Sequence, residues 1–251
     1  MSYNLGFIQD EDIFNHVKET VEQYRFKINL TEFNNNIIDP IKLTFDSKVY
    51  GKSYEDIIEA ECIRQIDKTN SNHIGYFHQN IFKYLGDGWE VPSQGYDVIN
   101  EKKNIFVELK NKHNTMNSAS SQKTYMKMQS TILKNDKATC MLVEVIAKKS
   151  QNTTWVTSLD GQQYSHERIR RVSIDKFYEI VTADTFAFKK MCEKLPLILD
   201  DVVSSIKRGK IENSVFAELN NISPNILKSL FLLSFNKYDG FDSFEVLNEE
   251  E

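Results

Sequence analysis

The spacing of apolar residues changes twice along the chain and divides it into a helical first third, a strand-rich centre and a helical end. Ile13, Phe14, Val17, Val21 and Tyr24 recur at helical intervals behind Asp10, Glu11 and Asp12, acids that favour a helix start. Ser53-Tyr-Glu-Asp56 predicts the cap of a second helix running to about Lys68, and Ile74, Phe77, Ile81 and Leu85 form the stripe of a third that stops at Gly86. From Trp89 the pattern shortens to β-rich runs. Trp89 to Val91, Tyr96 to Asn100 and Asn104 to Lys110 are strands, and the polar residues Glu101 to Lys103 make a hairpin of the last two. Asn111 to Ser121 breaks both periods, Tyr125, Met128, Gln129 and Ile132 mark one helix face, and Ala138 to Ile146 is an apolar strand. Strand, helix, strand in that order predicts a crossover onto a mixed sheet. Thr153 to Thr157 and Ile169 to Ser173 are further strands, after which helices follow with Ser173, Asp184 and Ser223 as N-caps. With no repeat and no linker, the expectation is one α/β domain over 1–251. It has a helical N-terminal part (1–86), a core (87–173) and a helical C-terminal part (174–251).

Composition is that of a soluble globular chain: 40% hydrophobic, 27% charged, with few Gly and Pro among 251 residues. The start has no basic segment followed by an apolar one, and no apolar run reaches membrane-spanning length, so a cytoplasmic protein is expected. Cys62, Cys140 and Cys192 are far apart in apolar contexts and read as buried packing residues. The net charge of −5 argues against nucleic acid as a partner until its distribution is considered. Residues 101–150 hold ten lysines against four acids, whereas residues 196–251 hold five bases against ten acids. A basic centre is compatible with DNA.

Chemistry concentrates in that centre. Alternation along Asn104 to Lys110 sends Ile105, Val107 and Leu109 to one face and Phe106, Glu108 and Lys110 to the other. Asp97, across the short turn, sits near Glu108 if the hairpin register pairs them. Two carboxylates with a lysine suit Mg²⁺, which takes one or two carboxylates plus waters and substrate phosphate. The lysine can orient the attacking water, help deprotonate it or stabilise the transition state. Glu-x-Lys alone is equally an exposed cross-strand pair; the added Asp97, the apolar alternate face and the polar basic loop that follows shift the balance. His73 and His78, five apart on a helix, cannot share a metal and read as packing residues.

Gly95-Tyr-Asp97 followed by Val107-Glu-Leu-Lys110 resembles the motif of the PD-(D/E)XK nuclease superfamily. More narrowly, 107–118, 75–85, 142–152 and 169–181 resemble type II restriction endonucleases of the group that cuts GGNCC, over nearly the whole chain. The resemblance implies a mixed central sheet of restriction-endonuclease type flanked by helices, Mg²⁺ dependence and double-strand DNA cleavage. It places catalytic roles on Asp97, Glu108 and Lys110, metal ligation on Asp97 and Glu108, and a further acid on a preceding helix, for which Glu61 is preferred over Glu59. Tyr96 stands where the motif has proline, a position that supplies no catalytic atom. A companion DNA methyltransferase is also implied.

Lys112, His113, Asn114 and Asn117, in the loop after the catalytic strand, are candidate contacts to bases or phosphates, extended by Lys123 and Lys127 on the next helix. Arg168, Arg170 and Arg171 form a second basic cluster, although strand alternation sends Arg170 and Arg171 to opposite faces. Competing readings are a repair or junction nuclease on the same core and a catalytically silent DNA-binding module. Because a palindrome presents two scissile phosphates, a C₂ homodimer is expected, its interface drawn from helices after Ile174 such as the one bearing Leu227, Leu230, Phe231 and Leu233.

Overall fold

The computed structural model describes residues 2–113, 115–159, 161–206, 211–238 and 240–246. In chain order these form α1 (Asp10–Glu22), β1 (Lys27–Ile28), α2 (Leu30–Asn34), α3 (Pro40–Tyr50), α4 (Tyr54–Asn80), β2 (Val98–Asn100) and β3 (Ile105–Lys112). There follow α5 (Ser118–Lys134), β4 (Thr139–Ile146), β5 (Asn152–Leu159), β6 (Gln162–Ser173), α6 (Ile174–Thr182) and α7 (Ala187–Ser205). The chain ends with β7 (Glu212–Asn213), α8 (Val215–Ile222) and α9 (Ile226–Phe235).

Contacts gather the chain into two compact units, one of residues 1–22 and 73–207, the other of 23–72 and 208–251. Each is assembled from two separated stretches, so no linker composition marks a boundary in the sequence. Helix α4 belongs to the second unit up to Asn72 and to the first from His73. The two helices expected across 53–85 are thus one. Thr69 to His73 between them are polar but include no Gly or Pro, and nothing there stops the α-helical ladder. Its start follows the expectation: the Asp56 N–H donates to Ser53 Oγ at 3.1 Å, and that hydroxyl donates to the Asp56 carboxylate at 2.7 Å.

The first unit is built on a mixed five-stranded sheet in the order β2-β3-β4-β6-β5. β2 and β3 form the hairpin; β3, β4 and β6 run parallel; β5 is antiparallel to β6. Helix α5 supplies the crossover between β3 and β4. Side chains alternate as the pleat requires. Val107, Leu109, Met141, Val143 and Val172 face a core shared with α1, α6 and α7, while Phe106, Cys140, Leu142 and Ile169 face Tyr125, Met128 and Ile132 of α5. Gln129, read as part of that helix face, is exposed. The β5–β6 hairpin is longer than its apolar segments predict. Beyond a register shift, Gln162 to Ser165 of its outer part pair with Val156 to Leu159, and these β6 residues are exposed, with no buried face to register in the sequence.

In the second unit, α2, α3, α8, α9 and the first part of α4 enclose Ile28, Phe33, Leu43, Ile58, Leu219 and Leu230, and β1 pairs in parallel with β7. Asn225 caps α9 by accepting the Lys228 N–H at 3.0 Å, in place of the expected Ser223. Asp184 likewise lies two residues before the cap of α7. Helix α3 buries Pro40 and Leu43 yet leaves Ile41, Phe45 and Val49 exposed along its other side. Cys62 and Cys140 are buried as expected, but Cys192 is exposed on α7. Among the described residues no helix is long and apolar enough to cross a membrane.

Two histidines of the first unit link its packing to pH. Burial pushes His78 down to about 4 and also lowers His16, whose Nε2 bonds the Phe77 carbonyl at 2.9 Å. The unfolded chain therefore binds protons near the ordinary histidine value that the folded chain refuses. The stability these rings contribute is complete above about pH 6.5 and is lost as pH falls toward 4, at about 1.4 kcal/mol per pH unit for each proton. Urea unfolding at pH 7.5 and 5.0 should show this loss, and His78→Phe should reduce it; an equal pH slope in the variant would refute the assignment.

Candidate active site

Strand β3 delivers Glu108 and Lys110 to the face covered by α5, and the hairpin register decides what meets them. Val98 pairs with Val107, and Asp97 stands immediately before β2, where the regular pairing ends. The Asp97 N–H donates to the Val107 carbonyl at 2.9 Å, and its Oδ2 accepts the Leu109 N–H at 2.7 Å. The side chain thus takes the place of a main-chain carbonyl at the next rung and ends the ladder with a carboxylate. Gln79, in the last turn of α4, donates to the Asp97 carbonyl at 3.1 Å and ties this end of the hairpin to the helix. No spacing or motif singles out Gln79 in the sequence.

Glu108 is only 9% exposed and carries two ammonium neighbours. Lys127, reaching over from α5, hydrogen-bonds Oε1, and Lys110 Nζ lies 3.7 Å from Oε2. Lys127 also donates to the Gly95 carbonyl at 2.7 Å and sits 4.1 Å from the centre of the Tyr96 ring. The residue read as an outlying DNA contact is therefore held at the candidate catalytic carboxylate. Tyr96 packs on Phe106 with ring centres 5.4 Å apart and shares a 2.8 Å hydrogen bond with Thr131; burial pushes its hydroxyl pKa up. Where the motif has proline, this chain presents a π face on which an ammonium ion is favoured.

The donor set suits Mg²⁺: Glu108 is a hard carboxylate on β3, and Asp97 is a second one bonded to the next residue of that strand, its Oδ1 unpartnered among the described residues. Glu61 lies on α4 in the second unit, where Arg64 donates to both of its oxygens at 2.6 Å and Gln65 to one at 3.0 Å. Burial alone would raise its pKa, but these bonds and the charges of Arg64 and Lys42 outweigh burial and hold it below the usual value. Among the described residues no cluster of three His, Cys, Asp or Glu is arranged for a metal.

The other expected contacts scatter. Lys112 is exposed at the end of β3, and Lys123 is exposed on α5 one turn before Lys127. Asn117 caps α5, its Oδ1 accepting the Ser120 N–H at 2.8 Å. Asn114 lies outside the described residues. The arginines are not one surface. Arg170, paired with Met141 in the register, is on the sheet face opposite Glu108 and donates to Asn152 Oδ1 and O at 3.0 and 2.6 Å. Arg168 shares its parity and is half-buried. Arg171, beside Leu142, is on the Glu108 face, but its guanidinium is engaged by Glu144 and His113. Glu144 itself, 1% exposed, went unremarked in an apolar strand.

Known proteins can now be set beside this geometry. The model of the Eco47II restriction endonuclease family matches residues 5–204, which include every strand of the five-stranded sheet. The chain belongs to the Eco47II restriction endonuclease family. It is 34% identical over 229 residues to the type II restriction enzyme Sau96I of Staphylococcus aureus, covering 86% of this chain and 87% of the relative. It is 30% identical over 213 residues to the type II restriction enzyme Eco47II of Escherichia coli, covering 80% and 88%. Family membership makes the chain a site-specific deoxyribonuclease, an α/β enzyme acting on double-stranded DNA. In this restriction endonuclease Lys127→Ala removes one of two cations from Glu108, and single-turnover cleavage should fall at least about tenfold, the scale of one lost charge-assisted contact of about 1.5 to 3 kcal/mol. Cleavage at the wild-type rate would show the contact to be dispensable.

Proposed function

We propose that this enzyme hydrolyses both strands of duplex DNA at a GGNCC-like palindrome, with Asp97 and Glu108 holding Mg²⁺ and Lys110 acting on the scissile phosphate. The observation that supports the proposal is the bond that ties the Asp97 carboxylate to Leu109, between Glu108 and Lys110, whose side chains are neighbours on β3 beside a basic loop. When bound, the ion polarises the phosphate and lowers the pKa of a water ligand. The chain's own groups do the rest. Asp97, fixed by the Leu109 N–H and by Gln79, holds one carboxylate still relative to β3. Lys110, on the same strand face as Glu108, counters the negative charge that grows on the phosphoryl oxygens as water attacks. The exposed Lys112 and Lys123 suit the phosphate backbone, which holds the duplex in register without reading it. A cytoplasmic location and a companion methyltransferase that shields host sites follow from this role. A repair nuclease or a silent binding module has no observation of its own in this chain.

Plasmid DNA of known sequence, digested with Mg²⁺, should yield discrete fragments with ends at GGNCC. Asp97→Ala and Lys110→Ala should each lower cleavage by several orders of magnitude while retaining specific binding in Ca²⁺. Either variant at wild-type turnover would remove the assigned site.

We further propose that the enzyme works as a C₂ homodimer, one site for each strand. The α9 residues first considered for the interface are largely taken up inside the subunit: Leu230 is fully buried and Leu233 packs on the same core. The apolar stripe Ile41, Phe45, Val49 on α3 is a better source of a self-complementary patch, with Phe45 66% exposed. Sedimentation on a short duplex should give two subunits per site, and Phe45→Glu should shift the free protein to monomer; an unchanged assembly in the variant would exclude α3.

A further inference from the structure

Glu144 and Arg171 are strongly engaged charged residues on the Glu108 face that the proposed chemistry does not use. Glu144 stands beside Lys110 in the parallel β3–β4 register. Both of its oxygens are occupied. Oε2 is 3.0 Å from His113 Nδ1, and Oε1 accepts from Arg171 Nε at 3.1 Å and from Arg171 Nη2. Arg171 Nη2 also donates to the His113 carbonyl at 3.1 Å and lies 2.8 Å from His113 Nδ1. One ring nitrogen cannot accept from the guanidinium and donate to the carboxylate at once. Nη2 already has the Glu144 and His113 oxygens, so the arrangement that satisfies more groups puts the proton on Nδ1, donated to Glu144.

The consequence falls on the loop. The His113 N–H donates to the Ile146 carbonyl at 3.0 Å while its carbonyl accepts from Arg171, so both main-chain groups are tied, one to β4 and one to β6. Four residues later Asn117 pins the chain again as the cap of α5. A buried ion pair is a poor source of stability compared with apolar packing of the same volume, but its fixed hydrogen-bond geometry orients what it holds. We propose that Glu144, Arg171 and His113 form a positioning clamp that aims His113 and residues 115–117 at the duplex and so sets base discrimination. This rests on the reading that the loop after β3 meets DNA. His113 and Arg171, first considered as base or phosphate contacts, act in this scheme on the loop's direction.

The test is to sequence the ends cut from plasmid DNA by wild type, Glu144→Gln and His113→Asn, with Lys112→Ala binding in Ca²⁺ as a control for contact by the loop. The clamp predicts that both clamp variants relax the cut motif at one or more base pairs, by about 5- to 100-fold in the ratio of preferred to relaxed sites. A role in stability alone would slow all sites alike and leave the motif intact, which would overturn the clamp. His113 is less buried than Glu144, with its side chain 19% exposed against 1%, so His113→Asn keeps the test decisive where Glu144→Gln fails to fold. If the motif persists and Lys112→Ala weakens binding to all duplexes, the clamp alone falls. If the motif persists and Lys112→Ala binds as wild type, the loop's place on DNA falls with it.

Discussion

The hydrogen bond from the Leu109 N–H to Asp97 Oδ2 is a structural bond made by a chemical group, and much of the site depends on it. It joins the Asp97 carboxylate directly to the strand that carries Glu108 and Lys110. The register behind it is protected from both sides of the sheet. A slip of one residue would drive Glu108 and Lys110 into the core of Val107, Leu109 and Val143 and expose those residues toward α5. The cost of burying two unpaired charges makes that alternative inaccessible. Hydrophobic alternation therefore does more than form a strand here: it holds a pair of carboxylates in register.

What could be read from the sequence follows from how local each cause is. The alternation of Phe106, Glu108 and Lys110 against Val107 and Leu109 is written in consecutive residues, and so is the Ser53 cap. The crossover from β3 through α5 to β4 needs only the order of elements and the handedness of such units. Other features depend on partners distant in sequence. Gln79 contacts Asp97 across 18 positions and Arg171 contacts His113 across 58, and neither pair has a spacing rule. Lys127 looked like a surface lysine because a helix pattern gives its face but not what lies opposite. The division into two units was hidden for the same reason, since each unit joins stretches far apart in the chain.

The distribution of charge resolves the tension between an acidic chain and a polyanionic substrate. The lysine excess of residues 101–150 falls on β3, on α5 and in the segments flanking them, so the field near the scissile phosphate is set locally and not by the net charge of −5. Within that field two buried carboxylates on one sheet face have different companions. Glu108 is met by Lys110 and Lys127, compact charges on flexible stems that can move between a carboxylate and a phosphate. Glu144 is met by the planar fork of Arg171, which bonds along fixed directions and loses its geometry if it moves.

That contrast separates two tasks along a single strand. Under the proposed function the middle of β3 would exchange electrostatic partners during each reaction, because phosphate charge arrives, rises and departs. The end of β3 would have to hold still, because a base contact is lost when the loop that makes it wanders by an ångström. Lysines suit the first requirement and arginine suits the second. The parallel β3–β4 pairing sets Lys110 next to Glu144, so the mobile and the rigid parts of the site are neighbours in one ladder. In the proposed scheme recognition and cleavage are coupled through the sheet itself: a duplex seated on the loop that His113 opens would be presented to Lys110, three residues back on the same chain.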